Sequence, residues 1–152
     1  MKNVKLIMQN VVSNSERETF AFAKEFAKTL RGGEVVGLIG DLGSGKTTFV
    51  RGLAREFGIR EPIRSPTFTL MHVHRVRRRD IRRLVHVDAY RLKNTRELQE
   101  IGIGEYLGKP GTVVVIEWAD RVRGVLTKAN KRIILRCSHG KRPDERRFRV
   151  DW

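Results

Sequence analysis

The residues best suited to chemistry lie in one run, Gly40-Asp41-Leu42-Gly43-Ser44-Gly45-Lys46-Thr47, which fits the spacing G-x-x-x-x-G-K-[ST]. That combination suits capture of a polyphosphate. Backbone N–H groups can surround such an anion only where side chains do not obstruct them. Gly40, Gly43 and Gly45 supply the access and the unusual backbone angles. A helix starting near Lys46 would aim its positive dipole end at the phosphates. Lys46 adds a mobile charge at the β- and γ-phosphates, and the Thr47 hydroxyl is placed to ligate Mg²⁺. Asp41, Leu42, Ser44 and Thr48 complete the loop and the first helical turn as nucleotide-binding candidates. The run follows an apolar stretch, Val35 to Ile39, and opens an amphipathic one, which is the context the pattern requires.

A phosphate loop works with an acid near the Mg²⁺, usually at the end of a buried strand. Two apolar stretches end that way: Val113 to Ile116 before Glu117, and Leu84 to Val87 before Asp88. Spacing does not decide between them. His86, Asp88 and Tyr90 share one strand face, as do Ser65, Thr67 and Thr69 on the preceding segment. Such a polar row is either the solvated side of a hairpin or a switch that senses the γ-phosphate and Mg²⁺. Thr127-Lys128-Ala129-Asn130 is close to the guanine-reading tetrapeptide, but Asn130 stands where a carboxylate must accept two donors, so ATP is expected rather than GTP. His72 and His74 have no zinc-ligand spacing around them and read as surface histidines. Cys137 reads as core packing.

The elements that must position these residues follow from periodicity. Val4 to Val12 reads as a first strand. Ser15 and Glu18 fit a capping box. The helix behind it runs from about Arg17 to Leu30, with Phe20, Ala23, Phe26, Ala27 and Leu30 on one face, and ends at Arg31-Gly32-Gly33. A second helix covers Lys46 to Phe57. Phe68 to Val76 and Arg83 to Ala89 form a hairpin around an arginine-rich turn. Thr95 caps a short helix. Lys131 to Cys137 and Arg146 to Asp151 are the last strands. The fold class expected is α/β, like the P-loop NTPases: a mixed, mostly parallel sheet flanked by helices, with an antiparallel hairpin and C-terminal strands.

The chain has 152 residues, the size of a single domain spanning 1–152. It carries 32 Lys and Arg against 17 Asp and Glu, a net charge of +15, which argues for an acidic partner, with nucleic acid first. The charge concentrates in Arg75–Arg83 and in the tail from Lys131 to Arg149. No apolar run is long enough for a membrane helix. Met1 to Asn10 lacks a secretory core. One cysteine allows no intrachain disulfide, so a cytoplasmic setting is expected.

Taken in order, the loop Gly-Asp-Leu-Gly-Ser-Gly-Lys-Thr-Thr, then Ser65-Pro66-Thr67-Phe68-Thr69-Leu70, His86-Val87-Asp88-Ala89-Tyr90-Arg91-Leu92 and Val115-Ile116-Glu117-Trp118 resemble the bacterial TsaE (YjeE) family. The resemblance runs from the first helix to Trp118. It implies a weak ATPase, with ATP and Mg²⁺ as cofactors, that acts with a TsaB–TsaD-type complex in the threonylcarbamoyladenosine modification of tRNA. It implies that Lys46 and Thr47 hold phosphate and Mg²⁺, that Glu117 is the Walker-B-type acid, and that Thr67 and Asp88 lie in switch-like segments near the γ-phosphate. Trp118 would lie near the nucleotide, as a stacking platform or as a core aromatic. This chain departs from the family in its arginine load. The turn Arg75–Arg83 is either a solvated loop or a contact surface for tRNA or for an acidic face of the partner, and the basic C-terminal strands are a second candidate tRNA contact. Two other readings stand beside this one: a small-molecule kinase with lid arginines in Arg75–Arg83, and an RNA-binding module holding ATP as a structural ligand.

Overall fold

The computed structural model describes residues 5, 8–64, 70–129 and 131–152. Its described elements follow the chain as β1 (Asn10–Ser13), α1 (Glu16–Ala27), β2 (Val35–Ile39), α2 (Lys46–Glu56), β3 (Met71–Arg75), β4 (Arg83–Asp88), α3 (Thr95–Glu100), β5 (Thr112–Glu117), α4 (Arg123–Lys128), β6 (Arg132–His139) and β7 (Arg146–Asp151). The strands form one sheet in the order β1-β7-β6-β2-β5-β4-β3. The central pairs β6–β2, β2–β5 and β5–β4 are parallel, while β3–β4, β6–β7 and β7–β1 are antiparallel. This is the mixed sheet expected, with the hairpin at one edge and the C-terminal strands towards the other.

Alternation along the strands sends side chains to two cores. Val36, Leu38, Val113, Val115 and Leu84 join Phe22, Phe26, Phe49 and Leu53 from α1 and α2 on one face. Val35, Val85, Val87, Val114 and Ile116 meet Leu98, Val125 and Leu126 from α3 and α4 on the other. The central strands are therefore apolar at nearly every position, as strands covered on both faces must be.

Ser15 caps α1, its Oγ accepting from Glu18 N at 3.1 Å. Several boundaries differ from expectation. The first strand is Asn10–Ser13, with Met8 and Gln9 in a turn before it; Val4 lies outside the described residues. Helix α1 stops at Ala27, because Lys28, Thr29 and Leu30 tighten into i→i−3 bonds. Phe22 rather than Phe20 belongs to its buried face. The cap of α3 is Asn94, whose side chain accepts from Glu97 N. Thr95 instead spends its hydroxyl on Gly124 N at 3.1 Å.

The arginine-rich turn lies at the start of β4, whereas Asp88 and Glu117 face each other at the far ends of β4 and β5. Five residues of strand put these ends about 17 Å apart. Within the turn, Arg75, Arg77, Arg79 and Arg82 are exposed. Arg78 folds back instead, donating to Ala27 O at 2.8 Å and Leu30 O at 2.6 Å and pairing with Asp80 at 2.8 Å. Among the described residues, no helix is long and apolar enough to cross a membrane.

Candidate active site

The phosphate loop joins β2 to α2, and its glycines are there for geometry. Gly45 precedes the helix at φ +104°, in the left-handed region. A Cβ on Gly40 would stand 2.2 Å from Cys137 O, so the loop lies directly against β6. Two further bonds tie it to the C-terminal strands: His139 Nε2 donates to Leu42 O at 3.1 Å, and Arg146 Nε to Gly43 O at 2.8 Å.

Lys46 is buried and folds over its own loop. Its ammonium donates to Gly40 O at 2.5 Å, Asp41 O at 2.8 Å and Ser44 Oγ at 3.3 Å, and lies 4.2 Å from the centre of the Trp118 ring. Burial lowers its pKa below the ordinary lysine range, while Cys137 and the carboxylates of Glu117, Asp41 and Asp88 pull the other way. Beside it, the Thr47 hydroxyl donates to Glu117 Oε1 at 2.7 Å. The second oxygen, Glu117 Oε2, meets His86 Nε2 at 2.5 Å. Asp88, on the neighbouring strand end, is buried and accepts from Tyr90 N at 2.9 Å.

These groups open onto a cleft of about 590 Å³. Gly43, Gly45, Lys46, Thr47 and Thr48 form its floor, with Asp88 and Glu117 on one wall. Ser15, Glu16 and Thr19 of the first capped helix line another part, with Asp144 and Arg146 from the C-terminal hairpin. Trp118 sits at φ +58°, unusual for a residue with a side chain. It packs on Tyr90 with ring centres 5.0 Å apart, and the Arg121 guanidinium covers both rings.

The structure thus brings together Lys46, Thr47, Thr48, Asp88, Glu117 and Trp118. Asp41 and Ser44 serve the loop through a carbonyl and a buried hydroxyl, and Leu42 is exposed at the rim. Thr67, with Ser65 and Thr69, lies outside the described residues, as does Asn130. His86 and Asp88 are buried, so their strand face is not a solvated side of the hairpin. His74 is only partly exposed: its Nε2 is buried and unbonded among the described residues, and burial lowers its pKa. Cys137 is core, as expected, and burial pushes its pKa up to about 12. Sequence reasoning missed Arg146 and His139, having read the C-terminal strands only as a basic surface. No local pattern marks these two; only the order of strands brings them to the loop.

The model of the family described as threonylcarbamoyl adenosine biosynthesis protein TsaE matches residues 13–148. The chain belongs to the TsaE family. The match reaches past Trp118 into β7, further than the motifs alone extend. Among its relatives is the tRNA threonylcarbamoyladenosine biosynthesis protein TsaE of Treponema pallidum, 42% identical over 125 residues, 82% of this chain and 89% of that one. The Aquifex aeolicus protein of the same name is 37% identical, over 76% of this chain and 80% of its own. The crystal structure of Bacillus subtilis YdiB superposes with a TM-score of 0.71 at 29% identity, covering 93% of this chain and 82% of that one.

Proposed function

We propose that this protein is a Mg²⁺-dependent ATPase that supports threonylcarbamoyladenosine modification of tRNA together with a TsaB–TsaD-type complex. Membership of a family described by threonylcarbamoyl adenosine biosynthesis supports the process. One observation carries the chemistry: a hydroxyl and a carboxylate, Thr47 Oγ1 and Glu117 Oε1, stand 2.7 Å apart on the cleft wall beside the loop lysine. Mg²⁺ takes oxygen ligands, often with one or two carboxylates and substrate phosphates, and this donor pair fits it. When bound, the ion would neutralise charge on the β- and γ-phosphate oxygens.

The chain's own groups do the remainder. The loop amides and the N-terminus of α2 hold the phosphates. Lys46 exchanges its loop carbonyls for phosphate oxygens and stabilises charge developing at the γ-phosphoryl. Asp88, opposite Glu117 at the strand ends, or Thr67 orients the attacking water. The products are ADP and phosphate. Exposed arginines of the hairpin turn and of β6 and β7 offer phosphate contacts to tRNA. A reducing cytoplasm suits the single, buried Cys137.

The kinase reading loses its support, because its lid arginines sit at the opposite end of β4 from the cleft. The test is ATP hydrolysis measured alone and with TsaB–TsaD partners, with and without tRNA. Partner-stimulated release of free phosphate is expected, and Lys46→Ala should abolish it while leaving the fold intact. Unchanged hydrolysis in that variant would sink the loop assignment. Salt-sensitive tRNA binding without hydrolysis would favour the RNA-binding module instead.

A further inference from the structure

Glu117 gives each of its two oxygens a different partner. Oε1 accepts from Thr47, and Oε2 lies 2.5 Å from His86 Nε2. Both side chains are enclosed, His86 completely and Glu117 with 2% exposed. The other imidazole nitrogen, His86 Nδ1, is buried and has no hydrogen-bond partner among the described residues. That asymmetry selects a tautomer. With the proton on Nδ1, a buried N–H would go unpaired while two acceptors, Nε2 and Oε2, faced each other. With the proton on Nε2, Oε2 receives a donor and only a bare lone pair is left over. His86 therefore donates to Glu117. Its backbone is fixed as well, since β4 pairs on both sides, with His86 opposite His72 on β3 and Val115 on β5.

We propose that His86 is a positioning residue for the cation site: by holding Oε2 it turns Oε1 of Glu117 towards Thr47 before any cation arrives. The terminal torsion of a glutamate is broad, so without this donor the Thr47 hydroxyl alone would have to fix the carboxylate plane. The proposal rests on the Mg²⁺ reading of Thr47 and Glu117. Its effect falls on cation affinity rather than on the hold over the nucleotide, because His86 is not among the residues lining the cleft.

Binding of a fluorescent ADP analogue tests it, measured in EDTA and across a Mg²⁺ series. His86→Leu removes the donor while keeping bulk. His86→Gln keeps an N–H near the position of Nε2. Wild type and both variants should bind the analogue alike in EDTA. The Mg²⁺ concentration for half-effect should rise about tenfold or more in His86→Leu and return towards wild type in His86→Gln. Equal Mg²⁺ dependence in wild type and His86→Leu overturns the proposal. So does a parallel loss of EDTA binding in both variants, which a purely structural role would produce. A wild-type protein whose binding ignores Mg²⁺ would instead overturn the underlying cation reading, and the inference with it. Should His86→Leu not fold, long-range ¹H–¹⁵N spectra of the wild type carry the test. They should show His86 protonated on Nε2, and protonation on Nδ1 overturns the proposal.

Discussion

Cys137 shows how a single group's surroundings become a measurable property. Its thiol is buried, and desolvation moves its pKa from the ordinary 9.0 to about 12. The linkage has a definite sign. Below pH 9 the thiol is protonated in both folded and unfolded chains, and its burial costs nothing in charge. Between pH 9 and about 12 the unfolded chain ionises first, binds fewer protons than the folded one, and is favoured. Stability contributed at this position should fall by about 1 kcal/mol per pH unit across that window. Urea unfolding of the wild type and Cys137→Ala at pH 8, 9 and 10 checks it. The stability of the wild type relative to Cys137→Ala should hold from pH 8 to 9 and then decline. At this scale the sequence was most legible for the phosphate loop, whose glycines, lysine and threonine are tied by local geometry. Spacing was silent on the choice between Asp88 and Glu117, because both end apolar strands, and only the family resemblance pointed to Glu117. Contact with Thr47, 70 residues away along the chain, distinguishes them only in three dimensions.

Elements were legible where one physical cause dominated. The strand Arg146–Asp151 was readable to the residue, and Ser15 with Glu18 announced the start of α1. Readings went astray where two causes competed. Asn94 and Thr95 are both good caps, and the hydroxyl of Thr95 is taken by Gly124 from another helix. The apolar stretch read from Val4 to Val12 begins ahead of the four residues that pair with β7, and Met8 and Gln9 form a turn before them. Arg78 is another case, since nothing in an arginine run reveals which member is structural. Its guanidinium closes the carbonyls of Ala27 and Leu30 at the end of α1 and pairs with Asp80, with the ring of Phe57 nearby. Hydrogen bonds from a charged donor contribute about 1.5–3 kcal/mol. Arg78→Ala should therefore lower unfolding stability by about that amount, while Arg77→Ala and Arg79→Ala stay within about 0.5 kcal/mol. Chemical denaturation of the three variants side by side decides it, and equal effects would remove the special role of Arg78.

The molecule as a whole divides its positive charge unevenly between two surfaces. Arg136 and Arg149 both reach Asp151 at 3.3 Å, and Arg147 reaches Glu145 at 3.0 Å, so the C-terminal strands are partly neutralised. The hairpin turn instead exposes Arg75, Arg77, Arg79 and Arg82. If tRNA binds through the turn, replacing those four by Gln should reduce the slope of log affinity against log salt by about 3. Replacing Arg136, Arg147 and Arg149 should change it less. Filter binding across a salt series measures both, and the reverse ranking would move the contact to the C-terminal strands. Composition announced the charge, but only strand order reveals where it stands relative to the cleft. The parallel strands carry the turn at one end and the Asp88 and Glu117 side of the cleft at the other, about 17 Å away. A polyanion docked on the turn and a nucleotide in the cleft would then occupy separate territory. With tRNA held by the turn alone, tRNA and nucleotide would load onto the protein in either order, and tRNA would not act as a competitive inhibitor of nucleotide entry.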